Sequence, residues 1–554
     1  MKKIKIILPL LTCLFSCLTG CQNSKNQNDI VILYTNDVHC GYNENMGYSG
    51  LSHFKKEKEK QYEYVTLVDS GDFSQGSALG ALTSGRELYK LMNEVGYDIC
   101  VLGNHEFDYC LDVLKENLEQ ANFDVLCCNA HYNGKKETSF LDNTKPYKIQ
   151  TYGNTKIGFV GVSTPLSISS STPTRFMEDG EIVYTFDGET GGDALAQSVQ
   201  KTVDDLKTQE NVDYVILLTH LGLVPENHRQ FQYSSGYLAT HTRGIDAILD
   251  GHSHTEMECL KVKNIDNQDV PISQTGTKFQ TFGELTISNG SFNFKLFKNY
   301  EGRDAAITSK IDEAENILKE VSKQKITNLD FDLSINDSEG IRMVRSRETN
   351  IGDLVADAYK NSLGTQIGLA NGGGIRASIS KGEVTFKNVI DVNPFGNLLC
   401  SVELTGQNLL DMFEYFVMTT EKEYKKDGLS IGESGSFQQV SGLKVTVDTT
   451  IPSPVVLKKD TTDVFDHIEG PRRISSMHVL ENNEYVPINK DKKYIVASTD
   501  YLIKNGGCGM LEFMKDKKIV QEDVVADYQS LVDYFQKTSD LSAYKKIQDR
   551  IIVN

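Results

Sequence analysis

Five short apolar runs frame the first half of the chain: Ile30–Leu33, Tyr64–Val68, Ile99–Leu102, Tyr214–Leu218 and Ile245–Leu249. A continuous apolar run of about five residues predicts a strand buried on both faces, as in a parallel sheet covered on both sides. Each run gives way at once to a polar string. These are Thr35-Asn36-Asp37-Val38-His39, Asp69-Ser70-Gly71-Asp72, Gly103-Asn104-His105-Glu106, Thr219-His220 and Asp250-Gly251-His252-Ser253-His254. The pattern predicts a layered α/β domain with polar side chains gathered at the carboxyl ends of its strands. Near residue 300 the period changes. Ile307, Ile311, Ala314, Ile317, Leu318 and Val321 recur at helical spacing among charges, which predicts a linking helix over 304–325. Beyond Thr327 helix and strand signals mix to the end. The expected division is a first domain over 30–303, the linking helix, and an α+β second domain over 326–554.

The first residues change the picture of where this body sits. Lys2, Lys3 and Lys5 precede an apolar stretch, Ile6 to Leu18, and Leu18-Thr19-Gly20-Cys21 follows. A basic segment, a short apolar core and a lipobox-like string predict a bacterial lipoprotein signal over 1–20, with Cys21 as the lipidated residue. Polar residues 22–29 read as part of a tether over 21–29. No later run approaches the ~18 apolar residues that span a bilayer. The expectation is an extracytoplasmic protein held to a membrane by lipid.

Charge narrows the partners. The formal net charge is -19, and no basic stripe suggests a nucleic-acid footprint. A phosphate substrate would need local compensation by metals and arginines. Most of the 11 cysteines have spacings that suit neither a zinc ribbon nor a disulfide scaffold, and read as small buried hydrophobes.

Five of the 11 histidines lie in the strand-end strings. Asp37 and His39 are two apart, so strand alternation would send both side chains from one face. Asp72 sits in a glycine-flanked turn where a carboxylate can bridge two ions. Asn104 adds a neutral oxygen, His220 and His252 add nitrogens to a second ion, and His254 returns to the first. Mixed N and O ligands suit Zn, Mn, Fe or Co, and two such ions about 3.5–4 Å apart cleave phosphate esters. Singly, these strings are weak: an Asp-x-His is usually an ordinary strand end, and Thr-His carries almost nothing. Their order and their common position after strands carry the argument.

Together, Asp37-x-His39, Gly71-Asp72, Gly103-Asn104-His105-Glu106, Thr219-His220 and Gly251-His252-x-His254 resemble the calcineurin-like metallophosphoesterases. The string Gly103-Asn104-His105-Glu106-Phe107-Asp108 resembles the bacterial 5′-nucleotidase and UDP-sugar hydrolase branch. So do Arg345-x-Arg347-Glu348-Thr349-Asn350, Asn371-Gly372-Gly373-Gly374-Ile375-Arg376, Asn393-Pro394-Phe395-Gly396 and Asn505-Gly506-Gly507. The resemblance implies a four-layer αββα catalytic domain, a linking helix and a nucleotide-recognising C-terminal domain. It implies one ion on Asp37, His39, Asp72 and His254, and a second on Asp72, Asn104, His220 and His252. It implies that His105, paired with Asp108, stabilises the transition state, with Glu106 structural. It further implies nucleotide contacts from Arg345, Asn371 and Arg376, and base stacking on Phe395.

The chain departs from the family at two positions. Where the family has an aromatic residue three before Asn-Gly-Gly and a ribose-binding Asp just after it, this chain has Leu502 and Cys508. Tyr501 adjoins Leu502, but strand alternation would aim it away. The expected activity is hydrolysis of nucleoside 5′-phosphates with two divalent ions. The alternatives are a phosphoesterase for another small phosphorylated metabolite, such as a UDP-sugar, cyclic nucleotide or sugar phosphate, and a silent nucleotide-binding lipoprotein.

Overall fold

The computed structural model describes residues 25–554 except 110, 172, 180, 190, 227–230, 320–322, 427–428, 460, 462 and 523. Cys21 and its leader lie outside the described residues. The first half contains two six-stranded sheets. In one, Asn26–Thr35, Tyr62–Asp69, Ile99–Val101 and Asp124–Leu126 run parallel, flanked by the antiparallel hairpin Phe282–Ser288 and Ser291–Phe297. In the other, Thr155–Val162, Tyr214–Thr219, Ala247–Leu249 and Asp269–Thr275 run parallel, with antiparallel edges Tyr147–Tyr152 and Glu256–Lys263.

Side-chain alternation explains why these strands are apolar throughout. Ile30, Ile32 and Tyr34 meet Ile216, Leu218 and Leu249 between the two sheets. Val31 and Leu33 point the other way, into a cluster with Leu51 of helix Gly47–Gln61 and Leu88 of helix Arg86–Val95. Val215 and Leu217 likewise face helix Gly192–Thr208 through Leu195, Val199 and Val203. Both faces of both sheets are covered, which gives the four layers αββα.

The helix expected over 304–325 runs from Ala305 to Glu315 and continues as a 3₁₀ turn, Asn316–Leu318. Asp304 caps it, its carboxylate accepting the Ala306 N–H at 3.0 Å. Ile307, Ile311, Ala314 and Leu318 bury themselves against the first domain's core, while Ile317 is exposed.

The second half is built on a five-stranded mixed sheet in the order Gln438–Ser441, Ile367–Asn371, Lys493–Thr499, Leu399–Thr405 and Lys518–Gln521. Helices Asn350–Leu363 and Asp527–Lys537 pack on one face and Gly406–Phe416 on the other. A four-stranded sheet of Glu484–Pro487, Ile474–Glu481, Leu443–Val447 and Ile551–Val553 extends it. Among the described cysteines, Cys40, Cys100, Cys127 and Cys400 are buried.

Candidate active site

The five polar strings all emerge at the carboxyl ends of parallel strands, on the same edge of the two sheets. Two three-residue clusters form there: Asp37, His39 and His254, and Asp72, His220 and His252. Within each, one ligand atom per residue lies within 4.8 Å of the others. The shared direction of Asp37 and His39 does not come from strand alternation, because their strand ends at Thr35. Both residues have left-handed backbones, φ 50° and 45°. Asp72, His252 and His254 do too, at 59°, 78° and 55°. That conformation costs non-glycine residues about 1–3 kcal/mol each and clusters at functional sites.

The loops that carry these residues press tightly together. A Cβ on Gly103 would fall 2.2 Å from Asp72 Oδ1, and one on Gly71 would fall 2.5 Å from the Gly103 nitrogen. Only glycine at both positions lets the two turns meet. Glu106 holds the arrangement from beneath. Its carboxylate accepts N–H groups of Asp72, Phe73, Ser74 and Gly103 at 2.8–3.1 Å.

Asp72 stands between the clusters. Its Oδ1 accepts the His105 N–H at 2.8 Å, and its Oδ2 lies 3.0 Å from His220 Nε2 and 3.7 Å from His39 Nε2. Asn36 and Ser70 hold two of these side chains: Asn36 Nδ2 donates to Asp37 Oδ2 at 2.7 Å, and His220 Nδ1 meets the Ser70 carbonyl at 2.7 Å. The latter contact leaves His220 Nε2 as the lone-pair nitrogen.

The donor set fits divalent metal. Asp37 Oδ1, Asn104 Oδ1 and His220 Nε2 are buried without a hydrogen-bond partner among the described residues. Burial lowers His39 and His254 well below the usual imidazole range, and neighbouring histidines and arginines act in the same direction. Neutral imidazole is the metal-binding form. Burial works against ionisation of Asp72, yet His220, His105 and His39 around it hold it well below the usual carboxylate range.

His105 Nδ1 lies 2.6 Å from Asp108 Oδ2, and Nε2 has no protein partner among the described residues. Above these groups opens a cavity of about 310 Å³ walled by both halves of the chain. Arg345, Asn371, Arg376 and Phe395 line it from the second half. The Arg376 guanidinium lies 5.7 Å from the Phe395 ring centre, and that ring lies 5.9 Å from His105. Among the described residues, neither Arg345 nor Arg376 has an ion pair or hydrogen-bonded carboxylate. Burial, reinforced by Arg342, lowers Arg376 to about 10. Arg342 itself is tied to Glu433 by two hydrogen bonds, 2.8 and 2.6 Å. Arg347 turns to the Ser346, Glu421 and Lys422 carbonyls instead.

The expectation for Leu502 and Tyr501 is reversed. Strand Lys493–Thr499 ends before them, and they fall in a helical turn, Asp500–Ile503. Leu502 is buried in the hydrophobic core with Val402 and Met412. Tyr501 lines the cavity, its hydroxyl 3.7 Å from Cys508 Sγ. Thr499, a helix-capping residue type just before Asp500, was the available signal. Cys508 does line the cavity. So does Asp463, which no sequence motif marks.

Known proteins match this architecture. A calcineurin-like phosphoesterase model matches residues 30–256, and a 5′-nucleotidase C-terminal domain model matches residues 325–516. The 5′-nucleotidase of Vibrio cholerae is 26% identical, with 81% of this chain and 86% of that protein aligned. The trifunctional nucleotide phosphoesterase of Bacillus subtilis is 26% identical over 94% of this chain, which spans 35% of that relative's length. Among solved structures, the 5′-nucleotidase precursor of Thermus thermophilus shares the fold, with TM-score 0.77, 24% identity and coverage of 95% of this chain and 99% of that one. The chain therefore belongs to the family that joins a calcineurin-like phosphoesterase domain to a 5′-nucleotidase C-terminal domain, and it is a metal-dependent phosphoric ester hydrolase.

Proposed function

We propose that this hydrolase converts nucleoside 5′-phosphates to nucleoside and phosphate, outside the cytoplasm, anchored through lipid on Cys21. The observation that carries the substrate reading is one cavity with three chemistries on its wall. Two N/O donor clusters lie at its floor, two guanidiniums without a carboxylate partner among the described residues beside them, and two aromatic rings, Phe395 and Tyr501, above. That order suits phosphate, then sugar, then a planar base. The relatives named 5′-nucleotidase support it.

Asp37, His39, Asp72 and His254 would hold one ion, and Asp72, Asn104, His220 and His252 the other, with Zn, Mn, Fe or Co suited to these donors. When bound, a pair of divalent ions supplies Lewis acidity for phosphoryl transfer to water. Arg345, Arg376 and Asn371 bind the substrate phosphate and fix its direction. Asp108 orients the His105 ring through Nδ1. With both ring nitrogens protonated, Nε2–H donates to the phosphoryl oxygens as charge builds on them. Phe395 and Tyr501 present ring faces to the base, a contact worth about 1–3 kcal/mol per base.

The test is a panel of nucleotides, UDP-sugars, cyclic nucleotides and sugar phosphates, assayed with purified protein loaded with Mn or Zn. Nucleoside 5′-monophosphates should give the highest kcat/KM. A preference for sugar phosphates over every nucleotide would overturn the reading. Processing at Cys21 is read separately: Cys21→Ser should release the protein from the membrane fraction or leave it unprocessed.

A further inference from the structure

Four acidic residues line the cavity: Asp72, Asp108, Glu433 and Asp463. Three are engaged. Asp72 stands between the metal-ligand clusters, Asp108 meets His105 Nδ1, and Glu433 is paired with Arg342. The Asp463 carboxylate has no hydrogen bond or ion pair among the described residues, although its backbone is fixed. The Tyr415 hydroxyl donates to the Asp463 carbonyl at 2.8 Å. That carbonyl packs over Gly509, where an added Cβ would lie 2.7 Å from it and 2.0 Å from Tyr415 Oη. The absence of a side chain at Gly509 thus lets the Asp463 segment close down on the turn that carries Cys508.

The position relative to substrate follows from neighbours. Cys508 Sγ lies 3.8 Å from Asn371 Nδ2, and Asn371 begins the glycine turn that leads to Arg376. Burial raises the Cys508 thiol to about 11, and the nearby Asp463 charge adds to the rise. Asp463 thus adjoins, through its carbonyl, the turn that carries Cys508, and it lines the same cavity as Tyr501, Arg345 and Arg376. An unpaired carboxylate there repels phosphate and has no use for a ring face. It accepts hydrogen bonds, and a vicinal diol offers two O–H donors to its two oxygens. Cys508, a weak donor and weak acceptor, cannot do this itself.

We infer that Asp463 is the sugar-recognising residue of this enzyme, accepting the 2′- and 3′-hydroxyls of a ribonucleotide and so setting its preference for ribose. The inference rests on the nucleotide reading above: with Cys508 at the family's ribose-binding position, the acceptor for the sugar comes from another loop.

The experiment uses the Mn-loaded enzyme, AMP, 2′,3′-dideoxy-AMP and glycerol phosphate, with wild type, Asp463→Asn and Asp463→Ala. Wild type should show a KM for AMP about tenfold or more below that for the dideoxy compound, the size of a charge-assisted hydrogen bond. Both variants should raise KM for AMP by about tenfold, leave kcat within about twofold, and leave dideoxy-AMP unchanged. Equal KM values for the two nucleotides in wild type would overturn the inference without any variant. So would equal losses for both nucleotides in the variants, or a loss for AMP that IMP does not share, which would assign Asp463 to the base amine. Hydrolysis of glycerol phosphate with none of AMP would instead defeat the nucleotide reading, and this inference with it.

Discussion

Glu106 Oε2 accepts the backbone N–H of Asp72 at 2.8 Å, so the carboxylate proposed to bridge two ions is aimed by a second carboxylate that belongs to neither cluster. The same oxygen accepts Gly103 N–H, and Oε1 accepts Phe73 and Ser74. Glu106→Gln keeps the shape and turns one acceptor into a donor facing N–H groups. Metal affinity should fall about 10–100-fold, the usual cost of losing a residue behind the ligands. Competition with a chromophoric chelator measures it. Unchanged affinity would show that the loop holds itself.

Asp72→Asn should remove both ions together, because Asp72 Oδ2 is near a histidine of each cluster. Metal analysis of the purified variant is the direct readout. In wild type, chelation should abolish hydrolysis and Mn or Zn should restore it. A variant that keeps one full equivalent of metal would argue against a shared ligand.

His105→Ala should keep its metal and lose about 10²–10³ in kcat, since its side chain meets Asp108 and the cavity and belongs to neither donor cluster. Loss of metal in this variant would move His105 into the ligand set.

Tyr501 and Leu502 should separate cleanly. Tyr501→Ala should raise KM for AMP by about 5- to 150-fold, in line with ~1–3 kcal/mol of stacking, and leave glycerol phosphate unaffected. Leu502→Phe should leave KM alone and destabilise the fold by about 1–3 kcal/mol, because it overfills a packed core. Kinetics and urea denaturation of the two variants decide which residue faces substrate.

Asp527 supplies a pH dependence far from the metal ligands. Burial raises its carboxyl to about 8, despite hydrogen bonds from Tyr528 N–H at 2.7 Å and Asn397 Nδ2 at 3.2 Å. The folded chain then keeps a proton that the unfolded chain loses near pH 3.9. Stability from this group is full below about pH 4 and declines as pH rises towards about 8. Asp527→Asn removes that slope, so its stability relative to wild type should improve between pH 5 and pH 8. Urea melts of both proteins at the two pH values test it, and a constant difference would refute it.

The layered first domain was legible because its strands are buried twice over. Runs such as Ile30–Leu33 and Tyr214–Leu218 have no polar face, and only a sheet covered on both sides accepts them. The candidate ligands were legible because hard donors follow those runs directly. The geometry that unites Asp37 with His39 was not, since left-handed backbone at Asp or His leaves no mark in hydropathy. Tyr501 was misjudged because one helical turn after Thr499 replaces strand alternation by a period of 3.6 and exchanges the directions of adjacent side chains. Asp463 was invisible for a different cause. Its carboxylate has no partner among the described residues, and partners are set by folding, not by neighbours in sequence.

Neither donor cluster is local. Asp37 and His254 are separated by nearly the whole first domain, and Asp72, His220 and His252 come from three different strand ends. No fragment of the chain can hold an ion with a full set of donors. Metal uptake therefore acts as a certificate of completed folding: an ion bound only by the finished domain stabilises it by about 2.7 kcal/mol at a hundredfold excess over its dissociation constant. A chain with this layout would become hard to unfold or digest at the moment it becomes able to catalyse, with metal supply setting both.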